Sequence, residues 1–134
     1  MTRGLLDTST VILLGGIDPA ELPDEPTISA ITLAELSVGP LIADSDEERE
    51  ARQAHLQQAE ADFDPIPFDD DAARAFGRVA ASIRRSGRKR AARAFDALIA
   101  ATALARGLAV FTCNPDDFAG IDELEVVALA HPDA

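Results

Sequence analysis

Five acids and one amide stand where short apolar runs stop or restart: Asp7 after Leu5-Leu6, Glu35 within Thr32-Leu33-Ala34-Glu35, Asp96 within Phe95-Asp96-Ala97-Leu98-Ile99, and Asn114, Asp116 and Asp117 after Phe111-Thr112-Cys113. Carboxylates meeting in one crevice repel and push some of their pKa values upward unless a cation sits among them. An oxygen-only donor set favours Mg²⁺ or Mn²⁺. Each residue also has an ordinary role open to it. Asp7 suits a strand-end turn, Glu35 has capping-box spacing from Thr32, and Asp116 and Asp117 suit a turn begun by Pro115. Asp96 fits an ordinary role least, because a helix cap does not normally appear inside an alanine-rich run that begins at Ala91. Phe95, Leu98, Ile99 and Thr102 fall at i, i+3, i+4 and i+7 and predict one inward apolar face, with Asp96 beside it.

The rest of the inventory narrows the chemistry. A histidine pair for RNA cleavage would have to be His55 and His131, one on a charged helix and one near the end of the chain. The only lysine is Lys89, so a phosphate-cradling glycine loop with its lysine is absent. A phosphotransfer enzyme with an aspartate nucleophile after strand one places a second Asp two residues on, where this chain has Ser9. Cys113 has no histidine near it in sequence and reads as structural, and one cysteine allows no internal disulfide. One Cys and two His do not build a structural zinc site without carboxylate help.

The elements that must position the acids follow from apolar patterning. Residues 4–7 read as a buried strand followed by a helix through 14, and 25–29 as a second strand leading into a helix from 33 to about 42. Residues 45–61 read as an amphipathic helix, and 63–68, broken by Pro65 and Pro67, as a connection or edge strand. A helix capped by Asp69 or Asp70 runs to about 85 with Phe76, Val79, Ala80 and Ile83 inward. The Asp96 helix ends at Gly107, and strands follow at 108–112 and 125–129. Strands separated by helices and apolar on both faces predict a parallel sheet between helical layers, an α/β fold in one domain, 1–134. In such a sheet ligands bind outside the carboxyl ends of the strands, the edge where these acids are expected to converge.

Net charge is −12, unevenly spread. From Ala72 to Phe95 there are eight basic residues and no acid, and the remainder holds four basic residues against twenty-four acids. Such a block is either a footprint for a polyanion or acidic partner or a solvated helix end. No apolar run is long enough to span a bilayer, and the expectation is a cytoplasmic protein.

Four ordered stretches, Leu5-Leu6-Asp7-Thr8-Ser9, Thr32-Leu33-Ala34-Glu35-Leu36, Phe95 to Ala103, and Thr112 to Phe118, resemble the PIN-domain ribonucleases, and more closely the VapC toxins of bacterial toxin–antitoxin systems. The resemblance implies a PIN-like three-layer α/β/α sandwich and a Mg²⁺- or Mn²⁺-dependent endoribonuclease acting on structured RNA such as tRNA or rRNA. It also implies restraint by a VapB-like antitoxin and a homodimer. Asp7, Glu35 and Asp96 would be the core metal-binding acids. Many members carry an acid where this chain has Asn114, which leaves the fourth group among Asn114, Asp116 and Asp117, with Asp117 matching a further acid just before the aromatic. Thr8, Ser9 and Thr112 would position water or phosphate. Arg84, Arg85, Arg88, Lys89, Arg90 and Arg93 would meet flanking phosphates or an antitoxin tail. With no Trp or Tyr and six Phe, substrate choice is expected to rest on RNA shape more than on base stacking. The alternative is a catalytically weak PIN-like RNA- or protein-binding module.

Overall fold

The computed structural model describes residues 2–87 and 94–133. Its elements run β1 (Arg3–Leu6), α1 (Thr8–Ile12), β2 (Glu25–Thr27), α2 (Ala30–Val38), α3 (Asp46–Asp62), α4 (Asp70–Arg85), α5 (Ala94–Arg106), β3 (Ala109–Thr112) and β4 (Val126–Ala128). The sheet order is β2-β1-β3-β4 and every pairing is parallel. Leu5 lies opposite Val110, and Leu6 opposite Phe111.

That register splits the core in two, because neighbouring residues on a strand face opposite ways. Leu5 and Val110 pack with Val79, Ile83, Ile99 and Ala100 from α4 and α5. Leu6 and Phe111 pack with Val11, Leu36 and Ala59 from α1, α2 and α3. The result is the expected three-layer α/β/α sandwich. Gly4 permits it at one point: a Cβ there would lie 2.4 Å from the Phe111 ring.

Helix α5 is buried continuously from Ile99 to Ala103, which its alanines allow because small side chains let α4 and the sheet approach from both sides. Burying Ile99 alone contributes roughly 1.5–3 kcal/mol. The helix ends at Gly107, whose φ is 65°. The amide of Leu108 donates to Ala103 O at 2.9 Å and that of Gly107 to Leu104 O at 3.2 Å, a Schellman closure that turns the chain straight into β3.

Local starts differ from expectation at several points. Asp7 is the N-cap of α1, since β1 ends at Leu6. Helix α2 begins at Ala30, capped by Ser29, whose hydroxyl accepts from Thr32 N at 3.2 Å. The capping box expected of Thr32 and Glu35 therefore does not form: Thr32 already lies inside the helix. The same helix stops at Val38, where Gly39-Pro40 tightens the chain into a 3₁₀ turn, Gly39–Ile42. Residues 63–68 run beside the sheet with a single bridge from Ile66 to Ser29. Phe95, predicted to face inward, is 56% exposed.

Candidate active site

Three strand ends supply the site because all strands point the same way. β1 delivers Asp7, β2 leads through Ser29 into α2 and Glu35, and β3 delivers Thr112 and Asn114. Helix α5 runs back toward the start of β3, so its first turn, which carries Asp96, lies toward the carboxyl edge. Thirteen helical residues span about 20 Å and a four-residue strand about 13 Å, so that first turn extends past the sheet. Asp96 itself is partly buried. Helix α5 packs against α2 and against the 3₁₀ turn Pro115–Phe118, the two elements that carry Glu35, Asp116 and Asp117.

Asp7 is 2% exposed and its carboxylate is held from several directions. Oδ1 accepts from Thr10 N at 3.3 Å and from the Thr10 hydroxyl. Oδ2 accepts from Thr112 Oγ1 at 2.9 Å and Ser9 Oγ at 3.2 Å. Asn114 extends the network: its side-chain Nδ2 donates to Ser9 Oγ at 3.0 Å, and its backbone N to Thr112 Oγ1 at 2.9 Å. The start of α1 and the end of β3 are thereby locked together through hydroxyls around one buried acid. A buried carboxylate needs such donors, since burying its charge without them is costly.

Glu35 belongs to a neighbouring network. Thr8 Oγ1 donates to Glu35 Oε1 at 2.6 Å and lies 3.0 Å from Thr32 Oγ1. Burial pushes the Glu35 carboxyl above its ordinary 4.5, the Thr8 hydrogen bond opposes that, and the nearby Asp7 charge adds to the rise. The Asp7 charge is thus felt at Glu35 across the edge of the sheet. Asp117 is partly buried and Asp116 exposed.

As a donor set these groups suit a hard divalent cation in chemical type: oxygen donors, two of them mutually repelling acids. Among the described residues, however, no three Asp, Glu, His or Cys side chains gather closely enough to enclose an ion. The assembled pair is Asp7 and Glu35.

Sequence reasoning passed over Thr10 and Thr32. Both are fully buried, and each holds a site residue. The signal was present in three consecutive hydroxyl residues after Asp7 and in the burial that a helix after β2 imposes on Thr32. Cys113 is buried beside Phe111 and Leu6, and burial pushes its thiol up, away from nucleophilic use.

Of the basic block, Arg84 is exposed at the end of α4. Arg85 is engaged internally: Nη2 meets Asp122 Oδ2 at 2.7 Å, while Asp122 N donates to Ser82 Oγ at 3.3 Å. That clasp ties the segment leading to β4 onto α4. Arg88, Lys89, Arg90 and Arg93 lie outside the described residues. No helix among the described residues is long and apolar enough to cross a membrane.

The comparisons with known proteins follow the same outline. A family model described as PIN domain matches residues 5–124. Ribonuclease VapC5 of Mycobacterium tuberculosis is 42% identical over 122 residues, covering 89% of this chain and 87% of that protein. Ribonuclease VapC4 of the same organism is 33% identical over 133 residues, covering 95% and 97%. A crystal structure of VapBC-5, a member of the VapBC family of toxin-antitoxin systems from Mycobacterium tuberculosis, matches with a TM-score of 0.84 at 40% identity, covering 96% of this chain and 99% of that chain. With the parallel sheet, the acids at its carboxyl edge and this agreement along the sequence, the chain belongs to the PIN-domain family.

Proposed function

We propose that this chain is a cytoplasmic, Mg²⁺- or Mn²⁺-dependent endoribonuclease toxin that hydrolyses phosphodiester bonds in structured RNA such as tRNA or rRNA and is neutralised by a VapB-like antitoxin. The observation that carries this reading is the placement of Asp7, Glu35 and Asp96 on the N-cap of α1, on α2 and on the first turn of α5, elements that meet the carboxyl edge of one parallel sheet. The likeness to proteins named ribonuclease VapC supports the activity, and the likeness to a VapBC complex supports the partner.

In this reading Asp7, Glu35 and Asp96 hold the cation, and Asn114, Asp116 or Asp117 completes the set. An ion held there would supply positive charge at the scissile phosphate and lower the pKa of a water for hydrolysis. The protein's own contribution is positional. Thr112, Ser9 and Thr10 fix the direction of the Asp7 carboxylate, and Asn114 fixes Ser9. Thr8 donates to Glu35 and so favours its anionic, cation-holding form, and the same hydroxyl is the candidate to position water or phosphate. Arg84 and the basic residues after it receive flanking phosphates or an antitoxin tail. The active form is a homodimer.

A second reading has its own observation behind it: no group of three acids is gathered among the described residues. On that reading the chain is a weakly catalytic RNA- or protein-binding PIN module. Incubating the purified, antitoxin-free chain with total bacterial RNA, with Mg²⁺ or Mn²⁺ and then with chelator, and mapping the new ends, decides between them. Discrete cuts lost with chelator support the enzyme; intact RNA from a folded, metal-supplemented chain supports the module.

A further inference from the structure

Phe95 is the one aromatic side chain that this protein exposes. The chain has no Trp or Tyr, and its six Phe all lie in described segments. Phe111 and Phe118 are buried in the two cores, and Phe63, Phe68 and Phe76 are partly buried against them, while Phe95 is 56% exposed. Its place is the first turn of α5, immediately before Asp96 and at the end of the helix that reaches past the carboxyl edge of the sheet. Phe95 leaves more than half of its surface in water, where it forgoes burial, and the inward face of α5 is already filled by Ala97, Ile99, Ala100 and Ala103. The helix does not use Phe95 to hold itself down.

We infer that Phe95 is a stacking platform for an unpaired nucleobase of the RNA next to the scissile phosphate, a specificity residue that rests on the ribonuclease reading above. Bases in a continuous helix have no free face, so an exposed ring on the turn that carries Asp96 selects a nucleotide splayed from a loop, bulge or single strand. Every base has a π-face, so Phe95 contributes affinity and position without reading base identity. This deepens the expectation that substrate choice rests on RNA shape more than on base stacking: shape presents the unpaired base, and Phe95 receives it. The adjacent backbone then carries the phosphate past Asp96.

The test is a Phe95 series in the full chain. Binding is measured in an Asp96→Asn background, so that turnover does not intervene, and cleavage is measured with Asp96 intact, on an RNA hairpin with an unpaired loop. Stacking predicts that Phe95→Ala and Phe95→Leu each weaken binding about tenfold or more and raise KM, while Phe95→Tyr and Phe95→Trp retain parental values. Mapped cuts of the parent fall at unpaired positions. Leu binding as tightly as Phe overturns stacking in favour of a plain apolar contact. Unchanged binding by Phe95→Ala overturns the inference altogether, as do cuts within duplex. Sedimentation of each variant separates a further case: loss of affinity that accompanies a smaller assembly makes Phe95 a contact between copies and overturns the platform. A parent that never cleaves any RNA sinks the ribonuclease reading itself, whereas a cleaving parent with an indifferent Phe95 series sinks only this inference.

Discussion

Asp7 and Glu35 sit in unlike surroundings, and the difference has measurable consequences. Asp7 is surrounded by hydroxyl and amide donors from α1 and the end of β3, so removing one donor leaves a buried acceptor short. Thr112→Val deletes the 2.9 Å bond to Asp7 and should cost about 1.5–3 kcal/mol in urea unfolding, the usual worth of a hydrogen bond to a charged group. A loss within error would mean that the hydroxyl lattice does not hold Asp7. Glu35 behaves in the opposite sense. Its carboxyl is raised above 4.5, so the folded chain holds that proton more tightly than the unfolded chain does. The stabilising contribution is therefore whole below 4.5 and is lost as pH rises through the raised value. Glu35→Gln escapes the loss: above that pKa it should melt at a higher temperature than the parent, with the gap closing as pH falls toward 4.5. A gap that instead widens on acidification would show that burial and Asp7 do not govern Glu35.

At the scale of elements, much of the fold was readable. Strands at 4–7, 25–29, 108–112 and 125–129 and the helices between them all appear, with ends shifted by a few residues. The shifts have local causes. Asp7 caps a helix because three hydroxyl residues follow it, and Ser29 outcompetes Thr32 because burial of Thr32 draws the helix start back. The inward face assigned to α5 failed at Phe95 because periodicity identifies a stripe but not where a helix runs past its neighbours. One packing constraint was invisible in sequence: Gly4 faces the Phe111 ring, and only the parallel register brings them together. Gly4→Ala places a methyl 2.4 Å from that ring and should destabilise the sheet by about 1–3 kcal/mol by chemical denaturation. A neutral result would mean that Phe111 has room to move and that the two-sided core is looser than its burial implies.

For the whole molecule, charge is the organising quantity. A chain of net charge −12 carries Asp7, Glu35 and Asp96 on elements that meet one edge of its sheet, while in sequence its basic residues concentrate between Ala72 and Phe95. The order of the four motifs along the sequence pointed to that edge. What stayed hidden was which acids meet, because that depends on side chains from α2, α5 and the turn after β3 that are far apart in sequence. If Asp7, Glu35 and Asp96 share an ion, millimolar Mn²⁺ should raise the melting temperature, since a ligand that binds only the folded chain at about a hundred times its Kd adds roughly 2.7 kcal/mol. The same addition to Asp96→Asn should do much less, and an equal rise in both would place the ion elsewhere.

Whether the acids at this sheet edge serve RNA cleavage is read by end-mapping the cuts made in bacterial RNA by the parent and by Asp96→Asn, both verified as folded by circular dichroism. The account predicts discrete metal-dependent cuts by the parent and a loss of about a hundredfold or more in the variant, the scale expected when charge stabilisation at a reacting phosphate is removed. Equal cleavage by the two proteins, or none by either in the presence of Mg²⁺ or Mn²⁺, would contradict it.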